Sequence, residues 1–94
     1  NYYADQGLDG FANWYTIQAQ EERDHAMLFL QYLQNNGEKV TLEAIAKPDK
    51  EFSCHRCALE VGYEHEQYVT SLINTIYEAA YAVKDLRTMQ FLVR

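Results

Sequence analysis

Glu22 and His25 stand three residues apart in the stretch Gln18-Ala19-Gln20-Glu21-Glu22-Arg23-Asp24-His25-Ala26, and on a helix that spacing puts both side chains on one side, one turn apart. A carboxylate and an imidazole so placed can reach one metal ion, and the pair suits iron, manganese or zinc better than a soft thiolate metal. Steps of three and four from Glu22 run back through Gln18, Tyr15, Trp14 and Phe11 and forward through His25, Ala26, Phe29, Tyr32 and Leu33, an aromatic-rich helical face. On the core side of a helix such a face needs a reason for its ionisable groups, because an unpaired buried charge is costly or is neutralised. The expectation is therefore a buried metal-binding pair. Taken alone, Glu-x-x-His is a weak signal, whose commonest meaning is a solvated Glu beside a surface His.

A third ligand-type side chain, Glu66, interrupts a second stripe in the same way. Its neighbours at helical spacing are Leu59, Gly62 and Tyr63 on one side and Val69, Thr70, Ile73, Ile76, Tyr77 and Ala80 on the other. His65 is adjacent to Glu66 and so points about 100° away from it, as a surface or interface residue. The tyrosines on the two stripes, Tyr15, Tyr32, Tyr63 and Tyr77, are expected in the core.

Cys54-His55-Arg56-Cys57 is a separate cluster. A Cys-x-x-Cys at a helix start can have lowered thiol pKa values, giving redox activity or half of a zinc site. There is no second pair to close a Cys₄ site, and in a reducing cytoplasm two thiols without metal are the plainer reading.

The elements that must carry these residues follow from the chain's punctuation. Residues 1–6 have the length of a helix tail, ended by Gly7. Leu8 and Asp9 resemble an N′ hydrophobe and an N-cap for a long helix over residues 10–36, free of proline, which Gly37 closes. Met27, Leu28 and Leu30 lie off the Glu22 stripe, so a second flank of this helix is expected to face another helix or another subunit. Residues 38–53 contain the one proline, Pro48, and read as an extended connection longer than the roughly 2–8 residues usual between helices. That length fits a crossover along a bundle. A second long helix is expected from Ser53 or Cys54 to about Val83, then a link at Lys84-Asp85-Leu86 and the first turns of a further helix over residues 87–94.

Ninety-four residues with a formal net charge of −6 make one domain at most. The acidic balance argues against nucleic acid or an anionic membrane surface as partner. No apolar run approaches the roughly 18 residues of a membrane-spanning helix, and no signal-peptide pattern opens the chain, so a soluble, cytoplasmic protein is expected. The start at Asn1 and the end at Phe91-Leu92-Val93-Arg94 suggest a single domain that is incomplete at both ends.

From Tyr2 to Leu92 the sequence resembles a non-haem ferritin of the bacterial and archaeal kind. The segment from Gly7 to Trp14 is similar to the turn between that family's first and second helices, Gln20 to Ala26 to its second-helix iron motif, Ala44 to Pro48 to its long crossover, and His65-Glu66-Gln67 with Val69-Thr70 to its third helix. The resemblance implies an all-α, ferritin-like four-helix bundle with a long crossover between the second and third helices, this chain being its central part. Ferritin-like proteins are themselves the usual example of a bundle with one long crossover, so that architecture comes with the family resemblance. It also implies a di-iron centre in which Glu22 bridges two irons, His25 binds one and Glu66 the other, with Glu21 at a third iron site or passing iron onward; no haem is implied. The activity implied is storage of ferric mineral after oxidation of Fe(II) by dioxygen or peroxide, in a homo-oligomeric shell of many subunits.

Two departures limit the transfer. The family's first and fourth helices supply further side chains to the centre, and this chain holds only the last turn of one and the first turns of the other, so a partner chain or further segments would have to complete the site. Cys54, His55 and Cys57 stand where the family usually has a Ser-Pro type helix start. The rivals are bacterioferritin or a rubrerythrin-like protein, which use a second Glu-x-x-His absent from these residues, and a non-catalytic truncated helical subunit.

Overall fold

The computed structural model describes residues 1–93. The regular elements among them are four helices, α1 (Tyr2–Asp5), α2 (Asp9–Asn35), α3 (His55–Ala82) and α4 (Leu86–Leu92). The chain divides into two compact units, one of residues 1–52, holding α1 and α2, and one from Ser53 onward, holding α3 and α4. Residues 38–52 carry neither helix nor strand, as expected of an extended connection. Arg94, the last residue of the expected fourth helix, lies outside the described residues. No helix among those described is long and apolar enough to cross a membrane.

In the first unit α1 is bound to α2 by rings. Tyr3 is 5 % exposed and stacks on Phe11 and Tyr15, with ring centroids 5.0 and 5.6 Å away. Tyr2 meets Phe52 edge-on at 5.6 Å, which brings the end of the connection back to the unit's start. Burial of the Tyr3 ring, with smaller contributions from Tyr15 and Tyr2, pushes its phenol above the usual range.

Both expected glycine stops are present. Gly7 and Gly37 have φ of 73° and 75°, the left-handed region where a side chain is strained. Around each, paired bonds close the helix: Gly7 N–H to the Ala4 carbonyl with Leu8 N–H to Tyr3, and Gly37 N–H to Gln34 with Glu38 N–H to Leu33. This double closure satisfies carbonyls that the helix end would leave open. It also moves the start of α2. Leu8 is engaged by Tyr3 and already accepts from Ala12 N–H, so Leu8 occupies the N-cap and Asp9 is the first helical residue, without a side-chain cap.

The same closure ends α3, on a residue that is not glycine. Lys84, at φ 57°, donates its N–H to the Tyr81 carbonyl while Asp85 N–H reaches Ala80. A left-handed residue with a Cβ costs roughly 1–2 kcal/mol, of which the greater freedom of unfolded glycine offsets part. Lys84→Gly is therefore expected to stabilise the second unit by about 0.5–1 kcal/mol, read as a raised thermal midpoint. A lowered midpoint would show that the lysine side chain outweighs its backbone strain.

Asp85 then caps α4, its carboxylate accepting from Thr88 N–H at 3.1 Å and from the Thr88 hydroxyl at 2.6 Å. The Thr88 hydroxyl bond, followed by the backbone bond, holds the Asp85 carboxyl below its ordinary range. A depressed carboxyl contributes stability at pH values above the unfolded pKa, near 4, and loses it as pH falls through the folded value. Fraying of α4 on acidification should follow the Asp85 carboxyl resonance in an NMR titration and be absent in Asp85→Asn. An Asp85 midpoint at or above the unfolded value would contradict this.

Candidate metal-binding pair

α2 is 27 residues long, about 40 Å at 1.5 Å per residue, and Glu22 and His25 sit near its middle. The i,i+3 spacing brings them together as expected: Glu22 Oε2 lies 3.6 Å from His25 Nδ1. That is too long for a good hydrogen bond. Donors each about 2.1 Å from a shared ion lie roughly 3 Å apart at a right angle and 4.2 Å apart across it, so the observed separation falls within the range one ion would impose. As an ion pair with a protonated imidazole, the same contact would contribute little, about 0–1 kcal/mol at an exposed site. A hard oxygen donor beside a nitrogen donor fits an iron-type ion on chemistry as well as distance.

The burial expected of this pair is not found. The Glu22 and His25 side chains are 57 % and 59 % exposed, and every residue from Ala19 to Phe29 on α2 is exposed. Much of the aromatic stripe is open too, with Phe11 46 %, Trp14 54 % and Leu33 40 % exposed. The reason is local. Within the first unit the only other helix, α1, has four residues and packs at the N-terminal end of α2, where Tyr15 becomes half-buried. Glu22 is therefore not a buried charge in need of a partner, and the case for metal rests on donor chemistry and spacing.

Glu21 follows on the same helix and is exposed. Glu66 belongs to the second unit, in the body of α3, and is exposed as well. Among the described residues, no group of three or more His, Cys, Asp or Glu side chains is gathered as a metal-binding cluster. Of the expected ligands the structure thus joins Glu22 and His25 and leaves Glu21 and Glu66 outside any such cluster. Of the stripe tyrosines, Tyr15, Tyr32 and Tyr77 are half-buried and Tyr63 is open at 66 %. His65 is exposed, its ring 6.5 Å from that of Tyr68, in keeping with a surface role.

The Cys cluster departs from both metal-site and free-thiol readings. Cys54 and Cys57 are joined by a disulfide, which removes the thiolates that zinc or iron would need, so the chain in this form has no thiolate metal site. Cys54 is the N-cap of α3, and its Sγ accepts from Cys57 N–H at 3.0 Å. Tyr3, which gathers the rings of the first unit, carries no chemical signal in the sequence. The only pointer to it is an aromatic pair shortly before a glycine stop.

Residues 1–94 match the family described as Ferritin-like domain. Among curated proteins the chain is similar to the bacterial non-heme ferritin of Campylobacter jejuni, 35% identical over 88 residues that make up 94% of this chain and 53% of the relative. The bacterial non-heme ferritin of Staphylococcus saprophyticus is 38% identical over 88 residues, again 94% of this chain and 53% of the relative. Among solved structures, an open pore ferritin from the hyperthermophilic archaeon Archaeoglobus fulgidus superposes with a TM-score of 0.92 at 39% identity, covering 96% of this chain and 56% of the other. A humanized archaeal ferritin gives 0.93 at 41% identity, with 97% and 55% covered. The chain spans about half the length of the curated relatives it matches.

Proposed function

From the premise that this chain belongs to the ferritin-like domain family, we propose that it acts in iron storage, as part of a ferroxidase that oxidises Fe(II) and lays down ferric mineral. The observation that carries this reading is the Glu22–His25 pair, two iron-type donors 3.6 Å apart on one turn of an accessible helix face. Iron is the substrate here, and each Fe(II) gives up one electron to dioxygen or peroxide.

The residues act by holding charge. The Glu22 carboxylate has two oxygens and can serve two ions at once, which would fix their separation, while the His25 Nδ1 binds one of them. Glu66 would bind the second ion and Glu21 would serve a third site or hand iron on. Anionic oxygen donors favour the more highly charged ferric ion over the ferrous one, so the same ligands that bind the substrate lower the cost of its oxidation. Further ligands would come from a second copy of the chain or from additional segments, in a homo-oligomeric shell within the cytoplasm and without haem.

The experiment is anaerobic Fe(II) titration of the folded protein followed by admission of air, read by near-ultraviolet absorbance. Saturable binding and oxidation faster than in buffer support the reading. Oxidation at the buffer rate from a folded, assembled sample would overturn it and leave a helical subunit without catalysis.

A further inference from the structure

We propose that the Cys54–Cys57 bond is a reversible thiol–disulfide site that exchanges electron pairs with dithiols, independently of iron. Four observations carry it. The two cysteines are three residues apart, so the bond closes a very short loop and constrains the unfolded chain far less than a long-range link would. Both belong to the second unit, so the bond ties no distant segments together. Cys54 is exposed and Cys57 half-buried, which gives an incoming thiolate access to one sulfur in particular. The fourth is electrostatic. Cys54 Sγ accepts the Cys57 N–H at 3.0 Å at the head of a 28-residue helix whose first turn carries no carboxylate, Arg56 there being paired with Glu60 one turn along at 2.8 Å.

Those surroundings assign different parts to the two sulfurs. A thiolate at Cys54 would keep the Cys57 N–H as a donor and lie at the positive end of the helix dipole, both of which stabilise it. Ser53 Oγ lies 4.0 Å from Cys57 Sγ, a contact too long to give that sulfur comparable support. Reduction then runs in two exchanges. One thiolate of the external dithiol attacks exposed Cys54 Sγ, the Cys54–Cys57 bond breaks, and Cys57 leaves with the electron pair and takes a proton. The second thiol of the dithiol, deprotonated, attacks its own sulfur in the mixed disulfide and expels Cys54 as the thiolate held at the helix start. In sum, one dithiol is oxidised to its disulfide while Cys57 becomes a thiol and Cys54 a thiolate; two electrons and one proton pass to the protein, and the dithiol's other proton passes to solvent. A thiolate stabilised in that way at Cys54 is the better leaving group in the second step. Oxidation of the protein is the same sequence reversed, with Cys54 as nucleophile.

The test is a redox titration of the unaltered chain in mixtures of reduced and oxidised dithiothreitol with a chelator present, trapping free thiols with iodoacetamide and weighing the protein. The expected result is a single two-electron transition in which both cysteines gain the label together, with the helical circular dichroism unchanged. A chain that stays unlabelled in excess reductant, or that unfolds as the bond opens, would show a structural disulfide and overturn the proposal. The parts given to the two sulfurs are tested in the single variants, each first checked for native helix content. Cys57→Ser should form a mixed disulfide with glutathione and react with iodoacetamide at about pH 7 roughly ten times faster than Cys54→Ser, in line with its larger thiolate fraction; equal rates would remove Cys54 as the exchanging sulfur. Without the chelator, zinc or iron that copurifies with the reduced chain and is lost from the doubly substituted Cys54→Ser, Cys57→Ser protein would mark a metal half-site and replace this proposal.

Discussion

Replacing Glu22 by alanine is expected to abolish rapid Fe(II) oxidation, lowering its initial rate by about 100-fold or more, since losing even an outer-shell partner of a metal ligand typically costs roughly 10–100-fold. His25→Ala should weaken binding of one ion and slow oxidation in the same direction. The exposure of the pair makes this test cleaner than a buried site would allow. Were Glu22 buried in a core stripe, its removal would relieve a desolvated charge and alter stability as well as activity. At 57 % exposure the side chain can be removed with a stability change within about 0.5 kcal/mol, so the thermal midpoint and the oxidation rate report separately. Unchanged oxidation in a folded Glu22→Ala protein removes the ferroxidase reading. Lost oxidation together with lost helix content would instead mean that the residue is structural, and Glu22→Gln, which keeps the shape and removes the anion, distinguishes the two. The same pair of measurements on Glu66→Ala asks whether the second unit contributes a ligand.

What the sequence could and could not reveal divides along the range of the interactions involved. Gly7 and Gly37 end their helices as expected because a positive φ is a local demand that glycine meets at the lowest steric cost. The Glu22–His25 contact is equally local, fixed by helical geometry as soon as α2 forms. Lys84 adopts the same conformation as those glycines and gives no warning of it, since it is held by its own N–H bond to Tyr81 and by the Asp85 N–H bond to Ala80, which depend on where α3 runs out. Burial is the least local property of all. A stripe of Phe11, Trp14, Phe29 and Leu33 predicts a covered face, yet whether a covering element is present depends on other parts of the fold, and in the first unit α1 reaches one end only. The oxidation state of Cys54 and Cys57 is likewise undetermined by their spacing, which suits a zinc half-site, two thiols or a disulfide equally.

The element that holds the first unit together is also the one with the least to announce it, and its removal should have the largest effect on stability. α1 has four residues, far below the roughly 12–15 at which an isolated helix becomes even marginal, so its order must come from packing. Tyr3 supplies that packing by stacking on Phe11 and Tyr15. Tyr15 in turn meets Trp14 edge-on at 4.9 Å, so the ring cluster takes in Phe11, Trp14 and Tyr15 at the N-terminal end of α2. Tyr3→Ala removes the central ring and should destabilise the first unit on the order of 3 kcal/mol, the low end for deleting a buried aromatic. Tyr3→Phe keeps the stacking and changes only the hydroxyl, at a cost of about 1 kcal/mol or less. Urea unfolding followed by near-ultraviolet circular dichroism, to which the ring cluster contributes, checks both. A Tyr3→Ala chain with an unaltered midpoint would mean that α1 is held by contacts other than its buried ring. If the expected loss is found while the Asp85-dependent behaviour of α4 is unchanged, the two units are stabilised separately.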